Sequence, residues 1–355
     1  MTNFLLAGGG TAGHVNPLLA LADQITKDSP SHKVWALGTA EGLESRLVPE
    51  RGYQLLTIAR LPFPRRLNAY ALGFLGRFKA AVSQVEALIK QHQIDVVVGF
   101  GGYASAPAYL AAKRAGVPIV VHEANALPGW ANKLGAKYAA AVGVVFHSTP
   151  IKGAVQVGMP LRPEIEAIAN NQDKAASRAH FGLDPETVTL LVTGGSLGAK
   201  RINETIEGSR KLLSAAGIQV LHIVGGKSDL VEVSEKGYVR LAYCDRMDLA
   251  IAASNFAVSR AGASTVSEFM AVGLPAVYVP YPVGNGEQKF NVADVVAAGG
   301  SIQVDDANFN TDFVAAEVIP LISNTKQLRV MSEKAKALGI ADGSARLLAL
   351  IRGVL

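Results

Sequence analysis

FLLAGGGTAGHVNPLLALADQIT, residues 4–26, sets an apolar run, Phe4 to Ala7, against Gly8-Gly9-Gly10-Thr11-Ala12-Gly13-His14, with a helical pattern from Val15 to Thr26 behind it. So short a run, stopped by glycines and followed by a longer helical stretch, reads as strand, tight turn and helix. The second half opens alike. Leu190 to Thr193 runs into Gly194-Gly195-Ser196-Leu197-Gly198-Ala199, and a helical stretch follows from Arg201 to Ala215. Neither turn is a Walker loop, because no GK[ST] follows, and Gly8-Thr11-Gly13 lacks the GxGxxG spacing of a dinucleotide fingerprint.

Around these two turns, short apolar runs alternate with helical patterns, as stacked βα units on a parallel sheet require. In the first half the strands are expected at Phe4 to Ala7, Val34 to Leu37, Leu55 to Ile58, Val96 to Gly99, Ile119 to Val121 and Ala141 to Val145. In the second half they are expected at Leu190 to Thr193, Val220 to Val224, Val239 to Leu241, Phe256 to Ser259, Ala276 to Val279 and Ile302 to Val304. The chain is thus expected to be α/β, with two similar Rossmann-like domains, 1–160 and 161–340, facing a central cleft. Val157-Gly158-Met159-Pro160-Leu161-Arg162-Pro163, with two prolines, is the expected hinge. Ligands of such sheets bind beyond the carboxyl ends of the strands.

Composition agrees with this reading. The 355 residues are too many for one ordinary domain, and 49% apolar against 18% charged residues argues against disorder and against coiled coil. A single cysteine, Cys244, rules out an intrachain disulfide and any thiolate metal cluster, and points to a reducing cytoplasm. The first 22 residues are uncharged but lack a basic leader, and GGGTAGH interrupts them, so they are not read as a signal peptide. The other uncharged run, Phe269 to Gly286, holds Pro275, Pro280 and Pro282 and cannot form one membrane helix. No metal is expected: HExxH, CxxC and a DxD at a strand end are all missing, and Asp305-Asp306 reads as a turn. Cys244 follows a strand in an apolar context and reads as an inert thiol.

The net charge of +5 is concentrated. Between Glu50 and Glu86 there is no acidic residue, while Arg51, Arg60, Arg65, Arg66, Arg77 and Lys79 supply six positive charges. Phe63, Leu67, Tyr70, Phe74, Leu75 and Phe78 are interleaved with them, a pattern suited to an anionic bilayer surface. Nucleic acid is the competing partner, disfavoured because no RNP, KH or OB pattern accompanies the charge.

Four loops carry candidate chemistry. The glycines of GGGTAGH let backbone N–H groups approach a ligand at a helix start. His14, at its end, is a general-base candidate, or else a capping or packing histidine. In His122-Glu123-Ala124-Asn125, Glu123 can orient a histidine or take a proton, and Asn125 can bond a sugar; capping of the next helix is the alternative. In Arg260-Ala261-Gly262-Ala263-Ser264-Thr265-Val266-Ser267-Glu268, the helix start suits a phosphate and Glu268 suits ribose hydroxyls; Ser264 capping with Ser267 or Glu268 competes. Gln288 and Asn291 offer neutral amides to sugar hydroxyls.

Seven segments in order, GGGTAGHVNPLLALA, GFGGYASAP, VHEANALPGWANK, VGMPLRPEI, VTGGSLGAKRINE, SRAGASTVSEFMAVGLPAVYVPYP and NGEQKFN, resemble the MurG family, the bacterial N-acetylglucosaminyltransferases of peptidoglycan synthesis. Ala124, Glu287 and Lys289 depart from residues common in that family. The resemblance implies a GT-B glycosyltransferase with the acceptor, lipid I (undecaprenyl-pyrophosphoryl-MurNAc-pentapeptide), in the first domain and UDP-GlcNAc in the second. It implies peripheral attachment to the cytoplasmic face of the cell membrane, and a terminal helix, within 341–355, crossing back to the first domain. Donor-site roles carry over to Thr11, Ala12, Gly13, Asn125, Arg162, Ser196, Ala263, Ser264, Thr265, Val266, Ser267, Glu268 and Gln288, with the backbone near Cys244 against uracil. No cofactor is implied. A related lipid glycosyltransferase and a non-catalytic nucleotide-sugar-binding scaffold stay open as alternatives.

Overall fold

Each expected apolar run pairs with its neighbours in parallel, because the helix that follows it must return the chain to the same sheet edge. The computed structural model describes residues 1–64, 69–283 and 285–355, and the chain divides into two units, Met1–Arg162 with Asp342–Leu355, and Pro163–Ala341. The first unit holds strands β1 (Asn3–Gly8), β2 (Lys33–Gly38), β3 (Gln54–Thr57), β4 (Val96–Gly101), β5 (Ile119–Glu123), β6 (Ala141–Val144) and β7 (Val155–Gln156). Their order in the sheet is β3-β2-β1-β4-β5-β6-β7. The second unit holds β8 (Thr189–Thr193), β9 (Gln219–Ile223), β10 (Val233–Glu235), β11 (Tyr238–Leu241), β12 (Phe256–Ser259), β13 (Ala276–Tyr278) and β14 (Ile302–Gln303). They run in the order β10-β11-β9-β8-β12-β13-β14, all parallel except the β10/β11 pair.

In both sheets the first strand of the unit sits centrally, and the winding reverses between β1 and β4 and between β8 and β12. Those reversals open a crevice at the strand carboxyl ends, which is where a ligand fits. Both glycine turns emerge there.

The first sheet is covered on both faces. Leu5, Val97, Tyr109 and Val121 belong to one apolar cluster, and Phe4, Leu6, Leu18 and Leu21 to the other. The helix Gly343–Arg352 adds Leu347, Leu348 and Ile351 to the second of these, and Arg352 pairs with Asp28 at the end of the helix Ala12–Asp28. In the second unit Leu190, Val192, Ile202, Ile206, Phe256 and Val258 form the corresponding core.

Two details differ from the sequence expectation. The pattern from Arg201 to Ala215 is two helices, Lys200–Gly208 and Arg210–Ala215, because Gly208 weakens the helix and the buried Ser209 hydroxyl bonds back to Thr205 O (2.8 Å). Strands β7 and β10 were not foreseen. One has two residues and the other three exposed or half-exposed ones, too short to carry a period.

Candidate active site

At the carboxyl end of β1 the chain turns through Gly9 and Gly10 (φ +87°) into the helix Ala12–Asp28. His14 Nδ1 lies 3.0 Å from the Gly9 carbonyl oxygen and 3.3 Å from Thr11 Oγ1. A carbonyl can only accept, so Nδ1 donates in this contact, and the neutral form of the ring that makes it has its free lone pair on Nε2. The ring stands over Gly101 at the end of β4: a Cβ there would come within 3.1 Å of Nε2, and Gly101 and Gly102 both have positive φ. This explains the second glycine pair in GFGGY. Thr11 is exposed and Ala12 and Gly13 are partly so, at the mouth of the turn.

Glu123, at the end of β5, is buried with both oxygens engaged. Oε1 accepts from Asn125 N–H (2.8 Å), and Oε2 accepts from Gly129 N–H (3.0 Å) and Asn132 Nδ2 (2.9 Å). Asn132 in turn accepts from the Tyr109 hydroxyl (2.7 Å). Glu123 thus shapes the loop that presents Asn125, without capping the first turn of the helix Trp130–Ala136 that follows. His14, Glu123, Asn125 and Asn132 form the polar end of a cavity of about 250 Å³. Phe63, Phe74, Phe78 and Trp130 form its apolar end.

In the second unit, β12 leads through Arg260-Ala261-Gly262 into the helix Ala263–Val272. The N-cap residue is Gly262, which supplies no side-chain cap. Ser267 Oγ is buried without a hydrogen-bond partner among the described residues. Val266 and Ala263 are buried, and Glu268 is half-buried one turn in. Gln288 Oε1 accepts from Ala261 N–H (3.1 Å) and Tyr281 N–H (2.9 Å), while Asn291 Nδ2 donates to Ala261 O (3.1 Å). Both amides therefore clasp the loop after β12, which leaves the Gln288 –NH₂ as the part that can face a sugar. Asp306 pairs with Arg260 (2.6 Å), so the Asp305-Asp306 turn also braces this loop.

The second glycine turn places Ser196 on the surface before the helix Lys200–Gly208. Gly198 and Gly225, both at positive φ, leave no room for a side chain: a Cβ on Gly225 would overlap the Gly198 backbone, and one on Gly198 would overlap Val224 O. Cys244 is buried and lines a cavity of about 600 Å³ with Tyr243, Leu241 and Arg246. Arg162, half-buried, closes the first unit.

The chain is similar to known proteins over nearly its whole length. Residues 4–144 match the glycosyltransferase family 28 N-terminal domain and residues 189–347 its C-terminal domain. A protein of Leifsonia xyli subsp. xyli is 56% identical over 352 residues, 99% of this chain and 98% of its own. Its name is UDP-N-acetylglucosamine–N-acetylmuramyl-(pentapeptide) pyrophosphoryl-undecaprenol N-acetylglucosamine transferase. A Streptomyces avermitilis protein of the same name is 47% identical over 98% of this chain and 97% of its own. The chain belongs to the MurG family of glycosyltransferases. The crystal structure of Acinetobacter baumannii MurG superposes with a TM-score of 0.81 at 25% identity, covering 99% of this chain and all of that one, and the fold is GT-B.

Within this MurG-family chain the basic stretch divides. Arg65, Arg66 and Leu67 lie outside the described residues. The helix Ala69–Gln91 exposes Leu75 and Leu72, the latter 87% exposed, and Phe63 beside it is exposed as well. Phe74 and Phe78 turn inward instead, stacked on each other and packed against the core. Tyr70 is held by Arg77 over its ring and by its hydroxyl on Pro62 O (2.9 Å). No described helix is long and apolar enough to cross a membrane.

Several site-shaping residues escaped the sequence reading. Glu44 accepts from Gly10 N–H (2.8 Å), so that N–H points into the protein and not toward a ligand. Tyr109 and Asn132 support Glu123. In the second unit His222 lies 3.1 Å from Asn203 Oδ1, and Asn203 Nδ2 holds Val224 O (2.9 Å) beside Gly225. Burial pushes His222 down to about 4 and leaves it a neutral strut.

Proposed function

We propose that this chain transfers N-acetylglucosamine from UDP-N-acetylglucosamine to the MurNAc 4-hydroxyl of lipid I, giving lipid II and UDP. The reading is carried by the family's named activity together with one observation: His14 stands at the strand-end crevice with its tautomer set by Gly9 and its Nε2 lone pair unspent. The acceptor O4 attacks the anomeric carbon from the face opposite the diphosphate as Nε2 takes its proton. The bond from that carbon to the diphosphate oxygen breaks, UDP leaves, and an α-linked donor becomes a β-1,4 product. Glu123, with three hydrogen bonds already made, is the loop's anchor in this scheme and not the base.

Donor binding is assigned to the uncapped helix Ala263–Val272, with Ser264, Thr265 and the unpartnered Ser267 hydroxyl as donors. Glu268 takes ribose hydroxyls, Ser196 and Arg162 the diphosphate, and the Gln288 amide N–H₂ the sugar. Uracil meets the backbone near Cys244, and Thr11 to Gly13 and Asn125 complete the donor contacts. Charge developing on the leaving diphosphate is met by the helix start and Arg162. The exposed Phe63, Leu72 and Leu75, with the neighbouring cations, seat the enzyme on the anionic cytoplasmic face of the membrane. UDP release with a short-chain lipid I analogue tests the assignment. His14→Ala lowers kcat by about 10²-fold or more with little change in donor KM, while Glu268→Ala raises donor KM. Full turnover by His14→Ala removes His14 as base.

A further inference from the structure

The Gly9–Gly10 peptide group is held at both ends. Its C=O accepts from His14 Nδ1–H (3.0 Å), and its N–H donates to Glu44 Oε2 (2.8 Å). The other Glu44 oxygen is fixed by Thr39 N–H (2.8 Å) and Thr39 Oγ1 (2.9 Å), at the end of β2. The carboxylate is 1% exposed, and no cation among the described residues forms an ion pair with it. Its space exists because three neighbours are glycines: a Cβ on Gly9 or Gly42 would overlap its oxygens, and one on Gly38 its Cγ. Burial raises its pKa, but the hydrogen bonds from Gly10 and Thr39 outweigh that and hold it below the usual carboxylate range.

We infer that Glu44 is a positioning residue for the transfer reaction, acting through the Gly9–Gly10 peptide to set the tautomer of His14; this rests on His14 being the base. A trans peptide points its N–H and C=O in opposite directions, so a carboxylate on the N–H fixes where the carbonyl points. Glycine at both positions, with Gly10 at φ +87°, makes this peptide one that can turn over at small steric cost. Turned over, it presents N–H to Nδ1, which then becomes the acceptor and leaves the proton on Nε2, where it cannot take the acceptor's proton. The carboxylate also polarises the amide, making the Gly9 carbonyl a stronger acceptor. The buried charge thus has a use that packing alone does not give it.

The test is a double-mutant cycle on the full chain, with the ring nitrogens of His14 observed by ¹⁵N NMR. Glu44→Gln puts an amide where a carboxylate accepted three bonds. It is expected to lower kcat by about 10- to 100-fold, within the range a general base contributes, with donor KM changed less than about threefold. In the His14→Ala background the same substitution is expected to cost less than about twofold, because it acts through a ring no longer there. The NMR spectrum is expected to show Nδ1–H in the wild type and loss of that single tautomer in Glu44→Gln. Thr39→Val, which removes only the hydroxyl bond, serves if Glu44→Gln does not fold, and is expected to lower kcat by about two- to fivefold, again only when His14 is present. An equal fold-loss in both backgrounds, or an unchanged tautomer with lowered kcat, overturns the inference. Full activity of His14→Ala with the tautomer still responsive to Glu44 overturns the base assignment instead, leaving the peptide linkage standing without a catalytic role.

Discussion

His122 lies fully buried at the end of β5, its Nε2 3.0 Å from Gly158 O, and burial pushes its pKa from 6.5 down to about 4. In the unfolded chain the same ring titrates near 6.5. Between those values the unfolded state binds a proton that the folded state refuses, so stability falls as pH is lowered through 6.5 and levels off below about 4. The limit is about 2.5 units at about 1.4 kcal/mol each, or about 3.5 kcal/mol, of which about 2 kcal/mol is lost by pH 5. Glu44, whose hydrogen bonds hold its carboxyl below the usual carboxylate range, stays ionised from pH 7.5 to pH 5. Both tryptophans, Trp35 and Trp130, lie in the unit that holds His122, so tryptophan fluorescence during urea unfolding reads that unit. The extrapolated unfolding free energy should drop by about 2 kcal/mol from pH 7.5 to pH 5 in the wild type, and by that much less in His122→Gln. A wild-type transition indifferent to pH over this range, or an unchanged slope in His122→Gln, would refute the reasoning. His222, pushed down to about 4 by burial beside Glu207 and Arg240, should act alike in the second unit. A pH–rate profile is therefore to be read only over the range in which the fold is shown to stay intact before any limb is given to His14.

Glu123→Ala removes the acceptor of the Asn125 and Gly129 N–H groups and of one Asn132 Nδ2–H, the other staying on His122 O (3.1 Å), at about 1–3 kcal/mol for a donor that water does not reach. Thermal unfolding should shift down in step with activity; a large loss of kcat at unchanged Tm would instead restore Glu123 as base. Leu72→Asp with Leu75→Asp should weaken sedimentation with anionic vesicles about tenfold or more while leaving turnover of a soluble short-chain acceptor within about twofold. Undiminished vesicle binding would move the membrane surface elsewhere.

The strands other than β7 and β10 and both turns were legible because short apolar runs, most sharply those stopped by glycine, have few other readings. His14 was legible as a candidate because it closes the first turn. Its tautomer was not, since the Gly9 contact depends on how the turn closes. Glu44 was out of reach: 34 positions separate it from Gly10, and in sequence it is one more acid on a surface helix. Phe74 and Phe78 carry the same helical period as Leu75 but face the core, and period alone does not say which face meets lipid. Gln288 looked like a sugar reader, yet its oxygen secures the loop after β12, a role set by two strands meeting across the sheet end.

The central claim is most directly tested by incubating the protein with UDP-α-N-acetylglucosamine and a lipid I analogue and determining the linkage of the product by NMR. The account predicts one new β-1,4-linked N-acetylglucosamine on the MurNAc 4-hydroxyl, formed in step with UDP. An α-linked product, or UDP formed with free sugar and an unmodified acceptor, would contradict it.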